Sequence, residues 1–198
     1  MKIIGLTGPS GSGKGFCCEI FNSKGIPSID TDAVYHELIS RPTDCTSELV
    51  EKFGDVILCS DGSVNRQVLG GIVFSDKSCE LLECLNCITH KYVIKKTFEM
   101  VERYRGEGVS AVIIDAPLLI ESKINEKCNF VISVLADVQT RLQRILERDG
   151  ISEESALARI KSQKPDRFYI ENSNYVIHND GSSVLSQIEK ILISEGIA

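Results

Sequence analysis

The segment Gly8-Pro9-Ser10-Gly11-Ser12-Gly13-Lys14-Gly15 lies between an apolar run, Lys2–Thr7, and a stretch of helical character that ends near Lys24 and Gly25. Glycines admit backbone torsions that other residues resist, so successive N–H groups can turn inward and form an anion nest. A helix beginning near Gly13 places its positive end beneath that nest, and Lys14 adds a mobile charge. Gly-x4-Gly-Lys is the core of the Walker A pattern, and a strand before it and a helix after it give the context that the chemistry needs. The motif points to the phosphates of ATP, with Gly8, Gly11, Ser12, Gly13, Lys14, Gly15 and Phe16 as binding residues. Lys14 also serves the transferred group. The Ser or Thr that usually follows the lysine and helps to hold Mg²⁺ is Gly15 here, and Phe16 supplies no hydroxyl. Magnesium is therefore expected to be held by phosphates, water and acidic side chains.

The rest of the chain alternates strand and helix. Ile26–Ile29 reads as a short second strand and is followed by a helix through Ile39. Ala111–Ile114, Asn129–Leu135 and Asn174–Ile177 read as the remaining strands. A helix starts at Asp137, Ser152-Glu153-Glu154 caps another, and Ser183–Ser194 is the last. Thr43–Arg105 is mainly helical, with a turn at Ser60-Asp61-Gly62-Ser63. Five strands with helical crossovers imply an α/β, three-layer P-loop NTPase fold, a five-stranded parallel sheet covered on both faces. We expect a single kinase domain with a core of residues 1–40, 108–140 and 172–198. A helical substrate-binding insertion is expected over 41–107 and a lid over 141–171.

Composition narrows the function. The net charge of −6 argues against broad attraction to nucleic acid, so an anionic substrate needs a local positive patch. No apolar run approaches the roughly 20 residues that span a bilayer, and Met1–Gly5 shows no signal peptide. These features predict a cytoplasmic enzyme, a monomer or small homo-oligomer. Nothing signals secretion, so the eight cysteines are expected to be reduced. Cys84, Cys87 and His90 recur at a helical spacing, but no fourth ligand is apparent, and the thiols read as small buried hydrophobes. Cys17 and Cys18 are expected to be inert, because burial opposes the helix start that would acidify them.

Two carboxylates fall where a parallel sheet gathers ligands, at the carboxyl ends of its strands. Asp30-Thr31-Asp32 follows the second strand, and Asp32 is the candidate to orient an acceptor hydroxyl and take its proton. A helix cap at Asp30 with Asp32 as a first-turn acid is an equally good reading. Asp115 ends the third strand and could serve Mg²⁺ through water, or simply form a turn. Arg141, Arg144 and Arg148 share one helix face. Arg144 and Arg148 are the candidates for phosphate contacts; Arg141, Arg159, Lys161, Lys164 and Arg167 could reach the phosphates on a closing helical pair or equally be solvated.

Together these pieces resemble the dephospho-coenzyme A kinase family over nearly the whole chain. Ile4-Gly5-Leu6-Thr7-Gly8 and the loop are similar to its opening, and Ile29-Asp30-Thr31-Asp32 to its Asp-Ala-Asp element. Asp61-Gly62-Ser63-Val64-Asn65-Arg66 with Leu69 and Val73-Phe74 resembles a further series. Leu85–His90 is similar to its Thr-His-Pro element, with Lys91 in place of proline, and Asp115-Ala116-Pro117-Leu118-Leu119-Ile120-Glu121 to its Asp-x-Pro-Leu-Leu-x-Glu motif. Arg144, Arg148, Gln163 and Val176–Gly181 complete the pattern. The resemblance implies ATP and dephospho-CoA as substrates, Mg²⁺ as cofactor, and Asp32 as base. It also implies Arg66, His90 and Asp115 on the substrate side, and Asn179 near the adenine. A cytidylate-type nucleoside monophosphate kinase, favoured by Gly15, and a nucleotide-binding module without catalysis remain the alternatives.

Overall fold

The computed structural model describes residues 1–76 and 78–197; Lys77 and Ala198, which fall in the expected insertion and core, lie outside the described residues. The chain divides into two compact units, one of residues 1–29 and 103–198 and the other of residues 30–102.

The first unit begins with β1 (Lys2–Thr7), buried from Ile3 onward. The phosphate-loop motif then leads into α1 (Lys14–Ser23), which turns Cys17, Cys18 and Phe21 inward. The second strand is β2 (Ser28–Asp30), shifted from the expected Ile26–Ile29. Pro27 has no N–H to offer a ladder, although its carbonyl accepts from Ile113 at 2.8 Å, so regular pairing starts after it. The second unit carries α2 (Thr31–Ile39), α3 (Asp44–Phe53), α4 (Arg66–Ser75) and most of α5 (Glu80–Gly106). Its core is formed by Ile39, Cys45, Leu49, Ile57, Val64, Leu69 and Val73. The turn at residues 60–63 is present: Gly62 N–H donates to the Cys59 carbonyl, and Asp61 accepts from Ser63 N–H at 2.9 Å.

The chain returns with β3 (Ala111–Asp115) and β4 (Phe130–Leu135), followed by α6 (Val138–Asp149) and α7 (Glu153–Ser162). The short α8 (Asp166–Glu171), β5 (Tyr175–His178) and α9 (Val184–Ser194) complete it. Asp137 and Ser152 cap α6 and α7 through their side chains, at the positions the sequence indicates. The strand order is β2-β3-β1-β4-β5, and β1 runs parallel to β3 and β4, as β4 does to β5. The expected α/β fold on a five-stranded parallel sheet is therefore present. β4 is buried at every position, which is what helices on both faces of a parallel sheet require. Phe21 of α1 and Ile188 and Leu192 of α9 pack against Ile4, Leu6, Ile113, Ile132 and Ile177 of the sheet.

Register brings the carboxyl ends of four strands together. Leu6 stands opposite Asp115, Thr7 opposite Ser133, and Leu135 opposite His178. Gly8, Asp115, Asp137 and Asn179 therefore emerge at one end of the sheet.

Candidate active site

The loop after β1 is shaped by contacts that exclude side chains. Gly13 sits at φ 92°, and a Cβ there would fall 2.1 Å from Asn179 Nδ2. Gly11, at φ 79°, would meet the Arg141 carbonyl oxygen at 2.6 Å. Both positions therefore need glycine on conformational and spatial grounds. Gly8 contributes a carbonyl, which accepts from Lys14 Nζ at 2.9 Å. Ser12 is fully buried, and its Oγ is among the described buried side-chain atoms that make no hydrogen bond. A buried, unsatisfied hydroxyl beside loop amides and a lysine suits an anionic ligand such as a phosphate.

Arg144 and Asn179 hold the loop from outside. Arg144 Nη1 donates to the carbonyls of Gly11 and Ser12, both at 3.2 Å, and its Nη2 donates to the Asn179 carbonyl at 3.0 Å. Asn179 Nδ2 donates to the Ser12 carbonyl at 2.9 Å. Arg148 is exposed; it pairs with Asp149 at 2.7 Å and reaches Ser10 Oγ only at 3.5 Å. Arg141 is not solvated. It is 4 % exposed and donates through Nε to the Ser10 carbonyl at 3.0 Å, so the sequence reading missed a loop residue. Burial pulls its guanidinium pKa down, against the opposing charge of Asp166. The usable signal was its place one turn after the Asp137 cap, which faces it toward the strand ends.

Asp115 lies beside Leu6, and the thiol of Cys18 donates to its Oδ2 at 3.6 Å. Burial, followed by the Asp115 charge, pushes the Cys17 thiol up to about 12 and raises Cys18 as well. Both thiols are thus held protonated, and Cys18 acts as a donor. Cys87 by contrast is exposed and Cys84 only partly buried, so the expectation of buried hydrophobes fails there. Only one side of α5 is covered by the core of the second unit.

No group of three or more His, Cys, Asp or Glu among the described residues could hold a metal ion. Gly15 has no side chain and the 52 % exposed Phe16 carries no donor atom, so neither side chain adds a ligand. The donor set fits an ion that arrives with a nucleotide and is steadied by one carboxylate.

The second unit gathers a different set. Asp30 caps α2 by accepting from the N–H groups of Asp32 and Ala33, at 2.8 and 3.1 Å. This is the capping role considered above, and it leaves Asp32 exposed in the first turn. Arg66, at the start of α4, lies near enough to Tyr35 for its charge to oppose the rise that burial causes in the Tyr35 hydroxyl. Tyr35 is one turn beyond Asp32 on the same helix. His90 is partly buried on α5, and burial depresses its imidazole below 6.5.

These arrangements can be set beside known proteins. The family model described as dephospho-CoA kinase matches residues 2–184. The dephospho-CoA kinase of Bacillus anthracis is 37 % identical over 192 residues, covering 96 % of this chain and 95 % of that protein. The chain belongs to the dephospho-CoA kinase family. Among solved structures, a Thermus thermophilus protein superposes with a TM-score of 0.83 at 29 % identity, over 98 % of this chain and 97 % of that one. The dephospho-CoA kinase from Campylobacter jejuni gives 0.71 at 27 %, over 99 % and 98 %. No helix among the described residues is long and apolar enough to cross a membrane.

Proposed function

We propose that this chain transfers the γ-phosphoryl group of ATP to the ribose 3′-hydroxyl of dephospho-CoA, giving ADP and coenzyme A in the cytoplasm. The family match over residues 2–184 carries the reading for the acceptor, and the anion-shaped loop supports the donor.

On this reading Lys14 leaves the Gly8 carbonyl for the β/γ-phosphates, and the amides of residues 11–15 turn toward the same oxygens. Arg144 keeps the loop in shape beside the transferring group, and Arg148 exchanges part of its pairing with Asp149 for phosphate. Asn179, which already steadies the Ser12 carbonyl, stands on the adenine side. Asp32, exposed at the start of α2, orients the 3′-hydroxyl and takes its proton as the new O–P bond forms and the bond to the ADP oxygen breaks. Arg66 supplies a cation for the acceptor, and His90, partly buried on α5, a hydrogen-bonding ring. Mg²⁺ bound with ATP supplies neutralisation of phosphate charge, and Asp115 is the carboxylate that would hold it through water. The acceleration comes from positioning and preorganised charge.

A coupled ADP-release assay with ATP, Mg²⁺ and either dephospho-CoA, CMP or no acceptor tests the proposal. Turnover is expected with dephospho-CoA alone. Turnover with CMP instead would identify a nucleoside monophosphate kinase, and ATP binding without transfer a non-catalytic module. Asp32→Ala should lower kcat by about 100-fold or more while sparing ATP binding. Unchanged turnover would remove Asp32 as the base.

A further inference from the structure

Ser10, in the middle of the phosphate loop, has both of its backbone polar groups held by side chains from elsewhere. Its N–H donates to Gln163 Oε1, at the end of α7, at 3.2 Å. Its carbonyl accepts from Arg141 Nε at 3.0 Å. The two holders are themselves joined, because Arg141 Nη2 donates to the same Gln163 oxygen at 2.6 Å. One residue further on, Gly11 abuts the Arg141 backbone so closely that no side chain fits. The loop is thus seated on α6 at two consecutive positions, and Gln163 closes the seat from the far end of α7.

The cost of this arrangement argues for a use. Arg141 is 4 % exposed, yet Asp166 approaches its Nη1 only to 3.8 Å and is itself half-exposed. A buried cation with so distant a counter-ion is expensive, and an apolar side chain would fill the same space at less cost. All three guanidinium nitrogens are also committed: Nε to Ser10, Nη2 to Gln163 and Nη1 toward Asp166. Arg141 is therefore placed to shape the loop and not to grip a ligand.

We propose that Arg141 and Gln163 form a clamp on Ser10 that fixes the curvature of the phosphate loop, and so act as positioning residues for ATP. The proposal rests on the reading of this loop as the ATP site. Loss of either clamp residue frees the Ser10 backbone to rotate, and the amides that follow must then be ordered by the nucleotide itself. The penalty falls on ATP and leaves the acceptor untouched.

Equilibrium ATP binding and both KM values are to be measured on the full chain with Gln163→Leu, Gln163→Glu, Arg141→Met and the Arg141–Gln163 double variant. Gln163→Leu, which removes the shared acceptor, should weaken ATP binding by about 10-fold. Its KM for the acceptor should stay within about 2-fold of the parent. Gln163→Glu retains the accepting oxygen and should remain within about 3-fold of the parent for ATP. The double variant should be worse than Arg141→Met by less than about 3-fold, since the clamp is already open. A folded Gln163→Leu with parental ATP affinity would overturn the clamp, as would equal losses toward both substrates or a Gln163→Glu as damaged as Gln163→Leu. If Arg141→Met does not fold, the two Gln163 variants decide alone. A parent that fails to bind ATP would sink the reading of the loop and the clamp with it, whereas a parent that binds beside an unaffected Gln163→Leu sinks only the clamp.

Discussion

Gly15 follows the loop lysine, where the Walker A pattern usually carries a Ser or Thr hydroxyl, and its surroundings are open. Nothing lies within 4 Å of an ideal Cβ, so serine enters without displacing a neighbour. A serine inside a helix is also better tolerated than glycine, by about 0.4 kcal/mol. Gly15→Ser should therefore keep the melting temperature and lower the Mg²⁺ concentration needed for half-maximal turnover. A collapse of activity in a folded variant would mean that the loop is adapted to glycine. Two residues on, Cys17 and Cys18 show how burial overrides a helix start. Their thiols are raised, Cys17 to about 12, so almost no thiolate exists at neutral pH. The exposed Cys59, Cys79 and Cys87 should react first with a maleimide, and Cys17 and Cys18 only on unfolding. Mass mapping that finds early modification of Cys17 or Cys18 with loss of ATP binding would refute their inertness.

Between elements, the α6–α7 pair is joined by a small apolar cluster of Leu142, Ile145 and Ala156 and by one carboxylate. Asp149 accepts from Arg148 at 2.7 and 3.0 Å and from Arg159 of α7, and these bonds, with Arg148 foremost, hold its pKa at about 2 against an ordinary 3.8. A folded-state value below the unfolded one gives stability that is fully present above about pH 4 and is lost as pH falls through 2. Asp149→Asn should thus melt lower than the parent at pH 7, with the gap closing between pH 4 and 2. A gap that persists at pH 2 would mean that the carboxylate's charge is not what joins the helices.

How much was legible in the sequence follows from how local each signal is. The loop and its flanking strand were readable because glycine torsions, a lysine and an unbroken apolar run act within a dozen residues. Asp137 and Ser152 were readable as caps for the same reason. β2 starts two residues and ends one residue later than expected, because its limits depend on which backbone groups Pro27 leaves for β3. The helix at residues 166–171 went unforeseen although Pro165-Asp166 is a start signal, since six residues carry too little periodicity to register. The arginine face of α6 was visible, but not which member turned inward. Arg141, Arg144 and Arg148 are alike in spacing, and only the packing of Gly11 against α6 separates them.

Across the whole molecule, a chain of net charge −6 has to attract a polyanion against its own mean field. Lys14, Arg141 and Arg144, with Arg148 at the rim, concentrate positive charge at one strand end, where low exposure strengthens it. The strength of that capture can be read as stability, because a ligand that binds only the folded state raises its unfolding free energy. ATP at 100 times its Kd should add about 2.7 kcal/mol. For a chain of this length the addition corresponds to a rise of roughly 5–10 °C in melting temperature. Lys14→Ala removes a side chain whose hydrogen bond is to the Gly8 carbonyl and which is not among the buried core. The variant should therefore melt close to the parent without nucleotide and lose most of the ATP-dependent rise. A full rise in Lys14→Ala would take the lysine out of phosphate binding, and no rise in the parent would take ATP out of the loop.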